Sequence, residues 1–240
     1  MRVFSLCFAV GLVLTASEAR ADLSFTLDAS NVTGYTTGTF GTITLTDGTG
    51  SGLGENGIAV GTVQVNETLA PNVFANTGAA YSLEFTLTGA PSITTSDITN
   101  LQFTGPNTPP TSTSYSLYTN PTVPHGNGYS GFGLAIDCGS CGTGTSPPQY
   151  NSLVFDITDS SNALSSTVFT TNTGGSYYFL SDIGIYVNST SYSTGYATAD
   201  TPTTISGNSG NASIPEPASI ALLGGAMLAM GILRRRRSAC

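Results

Sequence analysis

The 240-residue chain has no lysine, no tryptophan, one histidine and six arginines. All six arginines sit at the ends, as Arg2, Arg20 and Arg234, Arg235, Arg236 and Arg237, so residues 22–213 carry no fixed positive charge. Of the 14 acidic residues only Glu18 and Glu216 fall outside that span, so 12 remain and its formal charge is −12, against −8 for the whole chain. Such a surface repels nucleic acid and anionic lipid, and it has no guanidinium or ammonium with which to grip a phosphate or sulfate. Nucleic-acid binding is excluded. Like charge also favours solubility and mutual repulsion.

Helical periodicity is the second absence. No stretch of about 12 residues within 22–200 repeats its apolar positions at the helical spacing. Instead, apolar and small polar residues alternate at 23–27, 43–45, 60–65, 81–87, 153–157 and 183–187, the pattern of strands with one buried and one wet face. Threonine suits the wet face because it is β-branched. Glycine- and proline-rich segments at 48–57, 105–128 and 142–148 read as loops. The expectation is an all-β protein: a single β-sandwich or jelly-roll-like domain over 22–200, followed by a polar Ser/Thr/Gly/Asn linker at 201–214.

Long apolar runs occur only at the ends. Arg2 precedes an uncharged stretch at 3–16, and Ala19-Arg20-Ala21 is a small-x-small cleavage signal. Residues 1–21 therefore read as a signal peptide cut by signal peptidase, with Asp22 as the mature N-terminus. At the other end, Pro215-Glu216-Pro217 leads into 16 uncharged residues, 218–233, and then the four arginines. A helix of that length spans about 24 Å, short of a hydrocarbon core of about 30 Å. Arginine stems extending to the headgroups recover part of the deficit, and the cluster belongs on the cytoplasmic side. The expected precursor is membrane-tethered through this tail alone, with its body outside.

The Pro-Glu-Pro triplet, the short Gly/Ala/Leu helix and the terminal arginine run, in that order over 215–240, resemble the PEP-CTERM sorting signal of Gram-negative bacterial surface proteins. The resemblance implies recognition by exosortase, an integral-membrane cysteine protease, with Pro215, Glu216 and Pro217 as the sorting motif and Arg234 to Arg237 as the cytoplasmic anchor. It further implies an inner-membrane-tethered precursor, a final place on the cell surface or outside it, and a host that makes exopolysaccharide and biofilm.

Of the four cysteines, Cys7 belongs to the signal peptide and Cys240 to the tail, leaving Cys138-Gly139-Ser140-Cys141 in the body. In an oxidising exported setting this pair is expected to close as a structural disulfide. Redox chemistry of the thioredoxin kind needs a helix after the first cysteine, and Gly142 to Pro148 offers none. Zinc needs two more ligands, with only His125 and Asp137 nearby in sequence. Residues 131–142 and 175–183 also resemble segments recurring in some PEP-CTERM surface proteins, a likeness that implies no activity.

Catalytic patterns are sparse. His125, the single histidine, lies in a Pro/Gly loop with no Gly-x-Ser-x-Gly elbow to serve. The acids offer many pairs of the kind glycoside hydrolysis uses, and sequence spacing cannot choose among them. No cofactor is expected; loops at 47–55 and 156–162 are the places where a structural calcium would fit, without EF-hand spacing. Tyr115, Tyr118, Tyr129, Tyr177 and Tyr178 are candidates for a sugar-binding platform. The expected function is that of a non-enzymatic surface or extracellular-matrix protein in biofilm or envelope architecture. An exopolysaccharide-binding module is the alternative, and a secreted polysaccharide hydrolase the third reading.

Overall fold

A computed structural model describes residues 22–48, 57–75, 81–89, 92–105, 108–111, 115–121, 129–138, 150–187 and 191–205. All of them belong to one compact unit, Arg20–Gly207. The alternation read from the sequence becomes fourteen strands: β1 (Asp22–Ser30), β2 (Thr37–Asp47), β3 (Val63–Leu69), β4 (Val73–Ala75), β5 (Leu83–Leu87), β6 (Ile98–Gly105), β7 (Thr108–Thr111), β8 (Tyr115–Thr119), β9 (Leu134–Cys138), β10 (Ser152–Ile157), β11 (Phe169–Thr170), β12 (Phe179–Tyr186), β13 (Tyr192–Ala199) and β14 (Pro202–Ile205). Two single 3-10 turns, Thr95–Asp97 and Ser166–Val168, are the helical elements among the described residues.

The strands form one antiparallel sheet in the order β7-β6-β10-β3-β2-β1-β13-β12-β5-β9-β8, with β11 on β5, β14 on β1 and β4 on β12. The sheet curls on itself. One half, β6-β10-β3-β2-β1, lays its inward rows, such as Ile43, Val65 and Leu153, against Leu83, Ile136 and Ile183 of the half β13-β12-β5-β9 in a shared core. Phenylalanines from both halves fill the space between: Phe25 meets Phe179 edge-on at 4.9 Å, Phe85 stacks on Phe155 at 6.0 Å, and Phe169 stacks on Phe179 at 5.7 Å. β4 joins the halves at a second place, since it pairs with β12 while the Ala75 amide donates to the Tyr150 carbonyl just before β10.

Local sequence explains the departures from the expected strands. The run at 60–65 gives up its first residues to a turn in which Gly61 has φ +78°, and β3 begins only at Val63. Within the proline-rich stretch 105–128, expected to be loop, β7 and β8 form; β8 shows that Tyr115-Ser116-Leu117-Tyr118 kept a strand pattern beneath the proline signal. Residues 202–205, expected in the linker, pair as β14 with the first residues of β1, placing Ile205 opposite Asp22. Asn100 sits at a bulge in β6 in the left-handed region, φ 52°. Its amide reaches along the outer face of the sheet to hold Asp156 at 2.6 Å.

Phe85 is fully buried and touches Phe155, Phe169 and Phe179. Phe85→Ala is expected to lower stability by about 3 to 5 kcal/mol, measurable by chemical denaturation at fixed pH; a loss below about 1 kcal/mol would mean that the two halves do not share this core.

Candidate functional site

Most of the residues expected to direct sorting lie outside the described residues: Ala19, Ala21, Pro215, Glu216, Pro217 and Arg234 to Arg237, together with the span 218–233. Among the described residues no helix is long and apolar enough to cross a membrane. Asp22, the expected mature N-terminus, is the first residue of β1. Cys138 ends β9, is buried, and is disulfide-bonded. Cys141, its expected partner, and His125 fall outside the described residues.

What the described body does show is how acids live without cations. Asp47, 4 % exposed, accepts hydrogen bonds from the Ser166 amide and, at 3.2 Å, from the Ser166 hydroxyl. Asp97 caps its own 3-10 turn by accepting from the Thr94 amide at 2.8 Å and the Thr94 hydroxyl at 2.6 Å. Asp156 is clasped from both neighbouring strands, by Gln64 Nε2 of β3 at 3.0 Å and Asn100 Nδ2 of β6. Asp159 accepts from the Ser161 amide and Asn162 Nδ2, which hold its carboxyl below the usual range. The described carboxylates of the two expected calcium loops, Asp47, Asp156 and Asp159, are thus engaged by protein donors, and Glu55 lies outside the described residues. Among the described residues no cluster of three His, Cys, Asp or Glu is placed to hold a metal ion.

Glu67 differs from all of these. It points inward from β3, 1 % exposed, with Ile43 and Leu153 opposite it in register on the flanking strands. Its polar neighbour is the hydroxyl of Ser181, on β12 across the core, and its Oε1 has no hydrogen-bond partner. Burial pushes its pKa up to about 7, against which the Ser181 hydrogen bond works.

The outward face of β9, β5, β12 and β13 gathers acids and tyrosines. Register sets Glu84 opposite Leu180 and Ala135, Asp182 opposite Tyr196, and Tyr118 opposite Ala135. Glu84 and Asp182 are diagonal neighbours across β5 and β12, a placement that separates Cα atoms by about 7 to 8 Å. They are 1 % and 4 % exposed, closed to a polymer substrate. Burial, helped by nearby Tyr118, Glu84 and Asp137, pushes the Tyr81 hydroxyl up; burial with Asp182 and Glu84 does the same for Tyr196. Burial also raises the Asp137 carboxyl.

Around these acids the rings associate. Tyr81 packs on Tyr118 at 4.6 Å, and Tyr129 contacts Tyr177 at 5.5 Å and Tyr196 at 6.1 Å. Three of the five expected platform tyrosines, Tyr118, Tyr129 and Tyr177, therefore belong to this face. The other two serve the fold: Tyr115 ties its hydroxyl to the Thr95 and Ile98 carbonyls, and Tyr178 packs on Phe25. Tyr81 and Tyr196 were missing from the expected platform. Pairing across β12 and β13 sets Tyr196 opposite Asp182 on this face, whereas Tyr81 lies before β5 in phase with inward-facing Leu83, so alternation gave no signal for it.

Residues 213–237 match the PEP-CTERM protein-sorting motif. The motif marks an exported protein that exosortase recognises and that is processed at a membrane-anchored C-terminus. No curated protein and no solved structure matches the chain.

Because Glu67 holds its proton far above the range of an unfolded glutamate, the folded state binds one more proton than the unfolded state between about pH 4.5 and 7. Its contribution to stability is complete below that window and is lost as pH rises through it, by about 3 kcal/mol in total. Glu67→Gln is expected to remove this fall and to exceed the wild type in stability at pH 8. Denaturation midpoints across pH 4 to 8 check both; a wild-type curve that climbs from pH 5 to 7 would refute the assignment.

Proposed function

We propose that the exported body is a non-enzymatic surface or extracellular-matrix protein, delivered by the exosortase route and acting in the biofilm or envelope architecture of a Gram-negative host. The observation that carries this reading is the sorting motif at 213–237 joined to an all-β body without a fixed positive charge. The placement of the acids supports the non-enzymatic part. Asp47, Asp97, Asp156 and Asp159 spend their lone pairs on neighbouring donors, and Glu67, Glu84 and Asp182 are closed to solvent. A general acid or nucleophile must reach its substrate.

The tyrosine face favours a second reading, retention of the host's exopolysaccharide. Rings of tyrosine stack on sugar faces as they do on one another, and Tyr118, 39 % exposed beside Tyr81, is the most open of them. Neutral or cationic sugars suit the acidic body better than anionic ones.

Three outcomes are expected. Deleting the gene in its host reduces biofilm mass and cell aggregation; an unaltered surface phenotype contradicts the architectural role. Mass spectrometry of the surface-exposed protein finds no peptide beyond the Pro215 to Pro217 region; recovery of the Arg234 to Arg237 peptide from the cell surface contradicts processing there. For the second reading, Tyr118→Ala weakens retention on purified exopolysaccharide by about threefold to tenfold, and unchanged retention removes Tyr118 from any sugar contact.

A further inference from the structure

Tyr129, Tyr177 and Tyr196 come from three segments far apart in sequence, and one side chain ties two of those segments together. Asn172 lies between β11 and β12 and is 3 % exposed. Its Oδ1 accepts from the Ser176 amide at 3.1 Å and the Tyr177 amide at 3.2 Å, while its Nδ2 donates to the Ser130 carbonyl at 2.9 Å. Only one orientation of the side-chain amide meets these partners, since two of them are donors and the third is a carbonyl. Backbone bonds close the same turn: the Asn172 amide donates to the Tyr177 carbonyl and the Gly175 amide to the Asn172 carbonyl, each at 2.7 Å. Gly175 takes the left-handed conformation there, at φ +71°.

The next residue extends the clasp. Thr173 donates to the Gly131 carbonyl from its amide at 2.9 Å and from its hydroxyl at 2.7 Å. The approach leaves no room for a side chain, because a Cβ at Gly131, whose φ is +89°, would stand 2.5 Å from the Thr173 hydroxyl oxygen. Residues 130 and 131, which follow Tyr129, are thus fixed to the turn that carries Tyr177. The consequence is ring contact, with Tyr129 5.5 Å from Tyr177 and 6.1 Å from Tyr196 of β13. All three tyrosines are half-buried, so each keeps part of its surface open to solvent.

On the reading that the tyrosine face retains exopolysaccharide, on which this inference rests, we propose that Asn172 is the positioning residue of a sugar-binding surface formed by Tyr129, Tyr177 and Tyr196, and that it holds the first two rings at the spacing on which a neutral polysaccharide chain stacks. Asn172 touches no sugar itself. Stacking falls off within about an ångström of its best distance, so the affinity depends on keeping the two rings together. Neutral sugars are the fitting class because residues 22–213 hold no lysine or arginine to pair with a uronate or sulfate.

Two substitutions open the junction from opposite sides. In Asn172→Asp the carboxylate still accepts from the Ser176 and Tyr177 amides, but its second oxygen meets the Ser130 carbonyl with no hydrogen to share. Gly131→Ala forces the Thr173 contact apart and leaves Asn172 unchanged. Wild type and both variants of the exported protein are compared for retention on the neutral fraction of the host's purified exopolysaccharide, and for the NOE between the Tyr129 and Tyr177 rings. Each variant should lose the NOE and about threefold to tenfold in retention, with hydrogen-exchange protection of β1 and β2 as in the wild type. In the wild type, oligosaccharides cut from the same fraction should shift the Tyr129 and Tyr177 ring resonances together, an arm that decides the matter if a variant fails to fold. A retained wild type whose variants keep their retention, lose it without losing the NOE, or whose two rings do not respond to the oligosaccharide overturns the role of Asn172 alone. A wild type that is not retained removes the polysaccharide reading and this role with it.

Discussion

Twelve acidic side chains share residues 22–213 with no lysine and no arginine, and much of the body's internal chemistry follows from that imbalance. A buried carboxylate in most proteins finds a guanidinium or ammonium. Here it must find an amide or a hydroxyl, or keep its proton. Both solutions are present. Asp156 is held by side-chain amides from two neighbouring strands, and Asp47 by the amide and hydroxyl of one serine. Glu67, with the Ser181 hydroxyl as its polar neighbour among the described residues, holds its proton to well above the usual carboxylate range. Hydrogen bonds from neutral donors hold a carboxylate without the salt sensitivity of exposed ion pairs.

The same imbalance shapes the outside. With no lysine or arginine in residues 22–213, the body has no fixed cation with which to attract a polyanion. What it presents instead is hydroxyl-rich strands and a tyrosine face on β5, β9, β12 and β13. The tail holds four of the six arginines, so most of the positive charge of the encoded chain is concentrated in the sorting segment. A processed chain is more acidic than the encoded one, and its internal carboxyls then have only neutral partners to rely on.

Strand content was legible because alternation is a local signal: 23–27, 43–45, 81–87, 153–157 and 183–187 all fall within or overlap observed strands. Two kinds of feature were not legible. Strands carrying strong loop signals were hidden, as in β7 and β8 amid prolines and β14 inside a Ser/Thr-rich stretch; pairing partners far away in sequence overrode local composition there. Which acids approach which donors was also hidden, because Gln64, Asn100 and Asp156 meet only through strand order. Of the functional residues, the sorting motif was readable as a contiguous pattern, whereas Tyr81 and Tyr196 join Tyr118, Tyr129 and Tyr177 only once the sheet sets their common face.

The central claim is that the folded body retains a proton in its core for want of a cation. The direct measurement is the proton balance of unfolding, by comparing potentiometric titrations of native and denatured exported protein. Near pH 6 the account predicts release of roughly one proton per molecule on unfolding. Release of none, or net uptake, would show that Glu67 is ionised in the fold and would contradict it.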